Sequence, residues 1–349
     1  MMTPWAFEDF DAHEALQFVC DEASGLRAMI AIHSTHLGPA AGGCRFWHYE
    51  DDAEALTDSL RLSRGMSYKN AMAGLPLGGG KSVILANAER SKSPELLAAF
   101  GRAVDRLGGR YVTAEDVGMS VKDMIEVRRH TPFVAGLPAD TGGVGGDPSP
   151  HTALGVFLGL KAAVRRALGR NNVEGLHIAI QGAGHVATGV AMHASAEGAR
   201  LSIADVAQDR AEKLAAETGG EVVDPSEILE LEADVLSPNA LGAILTEETI
   251  PQLKAQVIAG GANNQLATPE DGARLQERGI LYAPDYVINA GGIINVCTEY
   301  LRDGDASLVR KRIEGIPARL EEVWTESQES GRDPASVADS MAQRLIGRG

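Results

Sequence analysis

Two lysines and an aspartate are the residues of this chain best suited to proton chemistry. Lys69 in MSYKNA (66–71) and Lys81 at the end of GGGK (78–81) stand 12 residues apart, each among small residues. An isolated lysine is ordinarily a solvated surface group; the glycine run ahead of Lys81 weakens that reading. Two ammonium groups lining one cleft depress each other's pKa, and burial depresses it further. One of them can then stay charged and hold a carboxylate. The other, pushed toward neutrality, can act as a base or position a water. Asp116 in TAEDVG, at a strand end, can supply the complementary acid/base. Upstream, GPAAGGCR (38–45) reads as a loop that brings free backbone N–H groups and an arginine together. GGGK is not a phosphate-binding P-loop, because Leu75 stands where the first glycine of that spacing belongs.

A second constellation is built for binding. His177 to Gln181 (HIAIQ) reads as a buried strand, followed at once by Gly182, Ala183, Gly184, His185, Val186 and Ala187. This G-x-G-x-x-A run opens a helix, so its backbone can approach a pyrophosphate seated at the helix N-terminus. The motif alone is weak. Its context strengthens it, because a further strand, Leu201 to Ala204, ends in Asp205, where an acidic side chain can accept hydrogen bonds from an adenosine ribose. That carboxylate would repel a 2′-phosphate, which favours NAD over NADP.

The elements needed to position these residues are legible in outline. Arg27 to His33 reads as a strand, Asp52 to Arg64 as a helix capped by Asp51 or Asp52, and Ser82 to Leu85 as a short strand after a chain break at GLPLGGG. SPELLAAFGRAVDRLGG is a helix with proline near its start and glycines at its end, and Tyr111 to Thr113 is the strand that delivers Asp116. Such alternation predicts an α/β domain with a mainly parallel sheet. Glycine, proline and aspartate crowd residues 138–150, as expected of a hinge, and a helix from Thr152 to Leu168 leads into a second α/β run. The expected division is a substrate domain over 1–137 and a Rossmann dinucleotide domain over 138–324, with C-terminal helices 325–349 packing back on the first.

Composition narrows the partners. A chain of 349 residues is long for a single core. Its formal charge of −16 argues against a nucleic-acid partner, and no run of apolar residues is long enough to span a membrane. The acidic start, MMTPWAFEDFDAHEAL, lacks the pattern of a secretory signal, and Cys20, Cys44 and Cys297 form no paired spacing; a reducing cytoplasm is expected. The nine histidines show no ligand spacing, so no metal is expected.

Eight segments then occur in a telling order: GPAAGGCR, the run from Arg61 to Ile84, RYVTAEDVG, GDPSPHTALGV, the Gly182 motif, SPNALGAIL, IAGGANNQL and PDYVINAGGIINV. Together they resemble the glutamate/leucine/phenylalanine/valine dehydrogenase family, most closely its leucine branch, over residues 10 to 330. The resemblance implies a cleft between the two domains that closes on an amino acid, and a homo-oligomer ranging from dimer to octamer. It implies that Lys69, with Gly42 and Gly43, holds the α-carboxylate. Lys81 would activate water and take up amine protons, and Asp116 would shuttle protons. Asn263 and Asn264 would lie where substrate and nicotinamide meet, with their individual contacts left open.

The side-chain pocket would be lined by Ala41, Ala114, Ile293 and Val296. Glutamate enzymes carry lysine and serine at the positions matching Ala41 and Val296, so a γ-carboxylate would go unpaired here at a cost of several kcal/mol. Ala114 and Val296 match the leucine branch, whereas phenylalanine enzymes tend to have glycine in place of Ala114. Leucine-type enzymes usually carry leucine where Ala41 stands and valine where Ile293 stands. The resemblance therefore favours aliphatic over aromatic substrates, with phenylalanine as the alternative. A non-catalytic NAD-binding regulator on the same fold is the remote one, disfavoured by the joint presence of Lys69, Lys81 and Asp116.

Overall fold

The computed structural model describes residues 3–87, 91–138 and 144–348. Its contacts divide the chain into two compact units. The first comprises residues 1–146 with 296–306 and 342–349, and the second comprises 147–295 with 307–341. Part of the expected hinge, residues 139–143, lies outside the described residues.

In the first unit, β1 (Ala15–Asp21) and β2 (Leu26–Ser34) form a hairpin, followed by β3 (Ala40–Trp47) and the long helix α1 (Asp52–Met72). Then come β4 (Gly78–Leu85), α2 (Pro94–Asp105), β5 (Tyr111–Ala114) and α3 (Val121–Arg128). The strand order is β1-β2-β4-β3-β5. This sheet is mixed rather than mainly parallel: β2 runs antiparallel to both β1 and β4, while β3 runs parallel to β4 and β5. The tight connection between β1 and β2 permits only an antiparallel pair.

Two further expectations need correcting. GPAAGGCR is strand from Ala40 onward, because the ladders to β4 and β5 take up the backbone groups that a loop would have left free. The chain break at GLPLGGG is shorter than expected, since β4 already begins at Gly78. Helix α1 starts as read, with Asp51 accepting from the Glu54 N–H at 2.8 Å, but runs on to Met72, so Lys69 sits on its last turn.

Side chains alternate across a strand, and each face of this sheet has its own cover. Ala28, Ile30, Ile32, Ala40, Cys44 and Ile84 pack with Leu96 and Phe100 of α2 and Met124 of α3. Met29, Val83 and Leu85 pack with Ala55, Leu56 and Leu60 of α1. The odd-numbered residues of β3 and β4 therefore share the α1 face.

The second unit begins with α4 (Ser149–Leu168), β6 (His177–Gln181), α5 (His185–Ala196), β7 (Arg200–Ala204) and α6 (Gln208–Thr218). It continues through β8 (Glu221–Val222), β9 (Val235–Pro238), β10 (Val257–Ile258), α7 (Glu270–Glu277), β11 (Leu281–Tyr282) and α8 (Asp285–Ile288). Its six strands are ordered β11-β10-β9-β6-β7-β8 with every neighbouring pair parallel. That is a doubly wound Rossmann sheet, and its topological switch point lies between β6 and β9.

The chain closes with α9 (Gly291–Leu301), α10 (Ala306–Ile313), α11 (Ile316–Ser330) and α12 (Pro334–Leu345). Residues 325–349 do not all return to the first unit, as the sequence reading had them do; those up to 341 belong with the second. The buried Trp324 indole donates to the Tyr282 carbonyl at 2.9 Å, and Arg166 of α4 bonds Glu321 and the Trp324 carbonyl, which ties α11 to the parallel-sheet unit. Only the tail returns: Arg348 donates to the carbonyls of Asp11, Ala12 and His33.

Candidate active site

Glycines allow α1 and the segment after β5 to approach the sheet at van der Waals distance. A Cβ on Gly79 would lie 2.0 Å from the Ser67 nitrogen of α1, and one on Gly43 would lie 2.8 Å from the Asp116 Cβ. The glycine runs around Lys81 thus bring backbone against backbone, and the one long side chain among them is enclosed. Lys81 is only 5 % exposed, and its Nζ pairs with the Asp116 carboxylate. Burial, reinforced by the Arg45 guanidinium and by Lys69, pushes its pKa down to about 7, against the opposing pull of Asp58. At that value the ammonium gives up its proton near neutral pH, as a general base requires.

The other predicted residues of this unit fall around that pair. Ala41, Gly43 and Ala114 lie on the α1 face with Lys81: Ala41 pairs with Gly79 in β4, and Gly43 with Ala114 in β5. Ala41 is buried, and Phe46 lies on the opposite face. The Tyr111 hydroxyl donates to the Gly42 carbonyl at 2.8 Å and bonds Ser82, which fixes the glycine pair. Lys69 is half-buried and close enough to Lys81 to lower its proton affinity. Val296, on α9, also counts with this unit.

In the second unit Gly182 has φ +96°, a conformation that favours glycine. Gly184 caps α5 without a side-chain hydrogen bond, so the first N–H groups of the helix are left to an anion. Exposed His185 opens the helix, Val186 approaches Gly261, and fully buried Ala187 keeps α5 close to the sheet. Asp205 accepts from the N–H of Ala183 at 2.7 Å and of Ala207 at 2.8 Å, which sets its carboxylate beside the glycine turn. A groove of about 860 Å³ runs along this turn, lined in part by Ala183, Gly184, His185, Arg210 and Lys213. A turn at the switch point, unfilled helix N–H groups and an adjoining groove fit a dinucleotide.

Asn263 is held by Asn289, whose amide donates to its Oδ1 at 2.8 Å, and Asn264 is left-handed at φ +51°. Both are exposed. Ile293 lies one turn before Val296 on α9 but counts with the second unit. Among the described residues no group of three or more His, Cys, Asp or Glu is placed to hold a metal.

Residues 13–132 match the Glu/Leu/Phe/Val dehydrogenase dimerisation domain, and residues 202–344 match the Glutamate/Leucine/Phenylalanine/Valine dehydrogenase domain. The chain belongs to this dehydrogenase family. It is 47 % identical to the leucine dehydrogenase of Bacillus subtilis over 98 % of this chain and 93 % of that protein. It is 44 % identical to the valine dehydrogenase of Streptomyces albus, over 97 % and 93 %. Among solved structures it is similar to the L-tryptophan dehydrogenase of Nostoc punctiforme, at 40 % identity and a TM-score of 0.85, covering 96 % of each chain. This amino-acid dehydrogenase therefore uses a nicotinamide cofactor, as the family does.

Sequence reasoning missed several residues that surround these candidate groups. Arg45 was visible only as an arginine in a supposed loop, and its facing toward Lys81 follows once that segment is strand. Asp58 and Tyr49, which bond each other at 2.8 Å, carried no local signal. Asn289 sat within a recognised segment, but its support of Asn263 depends on the fold.

Proposed function

We propose that this dehydrogenase catalyses the reversible, NAD-dependent oxidative deamination of a branched-chain aliphatic L-amino acid to its 2-oxo acid and ammonia. The observation that carries the reading is the enclosed Lys81–Asp116 pair, on a sheet face that also bears the apolar Ala41 and Ala114. Lys69, with Gly42 and Gly43, receives the α-carboxylate. Neutral Lys81 takes a proton from the α-ammonium, so that the amine lone pair can drive hydride off Cα. A bound nicotinamide dinucleotide supplies the hydride acceptor, held by Gly182 to Ala187 at its pyrophosphate, by Asp205 at its ribose and by Asn263 or Asn264 near the ring. Lys81 passes the proton taken from the α-ammonium to the Asp116 carboxylate it pairs with and, neutral again, deprotonates the water that adds to the iminium carbon. Asp116 then delivers its proton to the carbinolamine nitrogen and takes up the hydroxyl proton as ammonia leaves and the carbonyl forms.

Ala41, Ala114, Ile293 and Val296, the side-chain positions implied by the family resemblance, are all apolar, which disfavours glutamate. A homo-oligomer in the cytoplasm, taking a small-molecule substrate, completes the reading; among the described residues no helix is long and apolar enough to cross a membrane. The test is NADH production across a panel of L-amino acids at alkaline pH, repeated with NADP. Leucine, isoleucine or valine with NAD should lead. Phenylalanine or tryptophan in first place would overturn the aliphatic pocket. Preference for NADP would assign Arg210 and Lys213 to a 2′-phosphate.

A further inference from the structure

Beside Lys81 and Asp116 lies a second ion pair that the proposed chemistry leaves unused. Arg45 stands two residues after Gly43 on β3, on the same face as Lys81. One guanidinium nitrogen reaches Asp58 Oδ2 at 2.7 Å, and the other lies 3.8 Å from Asp116 Oδ1. Asp58, nearly buried on α1, also accepts from the Tyr49 hydroxyl at 2.8 Å and from Arg61 at 3.3 Å. Asp116 Oδ1 further accepts from the Val117 N–H at 2.6 Å, while Oδ2 meets Lys81. The Arg45 Nε is a buried donor with no acceptor among the described residues. An arginine serving only to tie β3 to α1 would need Asp58 alone; this one bridges two carboxylates, one of which touches Lys81.

We propose that Arg45 is a positioning residue for the deamination reaction: anchored by Asp58, it orients the Asp116 carboxylate and determines which member of the Lys81–Asp116 pair keeps the proton. The proposal rests on the reading of Lys81 as the base. Among the described residues, the charged and titratable groups around Lys81 are Arg45 from β3, Asp58 and Lys69 from α1, and Asp116 from the segment after β5, while the Cys44 thiol of β3 acts from the opposite face of the sheet. Arg45 and Asp58 act on Lys81 with opposite sign. The guanidinium disfavours a second positive charge, and the Asp58 carboxylate favours it. Removing one or the other must therefore move the protonation of Lys81 in opposite directions, which loss of packing alone would not do.

The experiment is competitive trace acetylation of the full-length protein with acetic anhydride across pH. The Lys81 peptide is quantified by mass spectrometry, and kcat/KM is recorded on the same samples. Arg45→Gln should raise the pH midpoint of Lys81 labelling by about one unit and Asp58→Asn should lower it by about as much. Arg45→Lys, which restores the charge, should bring the midpoint back toward the wild-type value. If Asp58→Asn fails to fold, the comparison of Arg45→Gln with Arg45→Lys decides alone. An unmoved midpoint, or equal displacement in Arg45→Gln and Arg45→Lys, overturns the proposal and leaves a structural ion pair. Midpoints that move as stated while the pH limb of kcat/KM stays in place would support the influence on Lys81 and refute Lys81 as the base.

Discussion

The charged cluster of the first unit and the glycine turn of the second are both proposed to receive anions, yet they are built by opposite means. Around Lys81, ionisable side chains from β3, β4, α1 and the segment after β5 crowd into a nearly enclosed space. At Gly182 the proposed binding groups are backbone N–H donors from consecutive residues, and each Asp205 oxygen accepts one N–H beside the turn while keeping a lone pair for a ribose hydroxyl. Backbone donors keep the same charge at every pH, which suits a cofactor that only has to be held. A reaction that moves protons needs groups whose charge can change, and desolvation is what brings a lysine into that range. The pH sensitivity of catalysis should therefore reside in the first unit and dinucleotide selectivity in the second.

Lys81→Ala should strike hardest. Loss of the base should lower kcat about 10³-fold while dinucleotide binding, followed by fluorescence titration, is kept; retention of a tenth of the activity would remove Lys81 from the chemistry. Lys69→Ala should act on KM for the amino acid, raising it about 10- to 100-fold for a lost charge-assisted hydrogen bond of about 1.5–3 kcal/mol. An unchanged KM would refute the carboxylate assignment.

Ala41→Leu sharpens the picture within the first unit. Selectivity in an apolar pocket is worth about 10- to 200-fold per methylene at best, so kcat/KM for phenylalanine should fall at least about ten times further than for valine. A uniform loss with a melting temperature lowered by overpacking, about 1–3 kcal/mol, would place Ala41 in the core instead. The smallest effect belongs to the second unit: Asp205→Ser should reduce the preference for NAD over NADP about tenfold, roughly 1.4 kcal/mol. An unaltered ratio would mean that the ribose is read elsewhere.

The same contrast explains what could be read from the sequence. The nucleotide turn is contiguous, so strand, glycines, helix and the acid after the next strand were all visible in the order the fold uses them. The charged cluster around Lys81 is assembled across residues 45 to 116, and periodicity cannot report which strand lies beside which. Lys69, Lys81 and Asp116 were recognisable as chemical groups, and their roles came from a family resemblance. Arg45 was hidden by a local rule, since glycine-rich GPAAGGCR carries the composition of a loop. It is strand because its two neighbouring strands pair its backbone and because α1 and Asp116 need the space that missing side chains leave. The division of the C-terminal helices was equally hidden, for it turns on Trp324 meeting Tyr282 and Arg348 meeting His33, contacts far apart in sequence.

If Lys81 works as a neutral amine near physiological pH, the pH dependence of kcat/KM must show it. Lys81 is depressed to about 7, first by burial and then by Arg45. Oxidative deamination should therefore rise as pH climbs through about 7 and Lys81 loses its proton. Reductive amination, which needs the protonated form, should fall over the same interval. A profile that stays flat across that interval in both directions would mean that Lys81 is not the base.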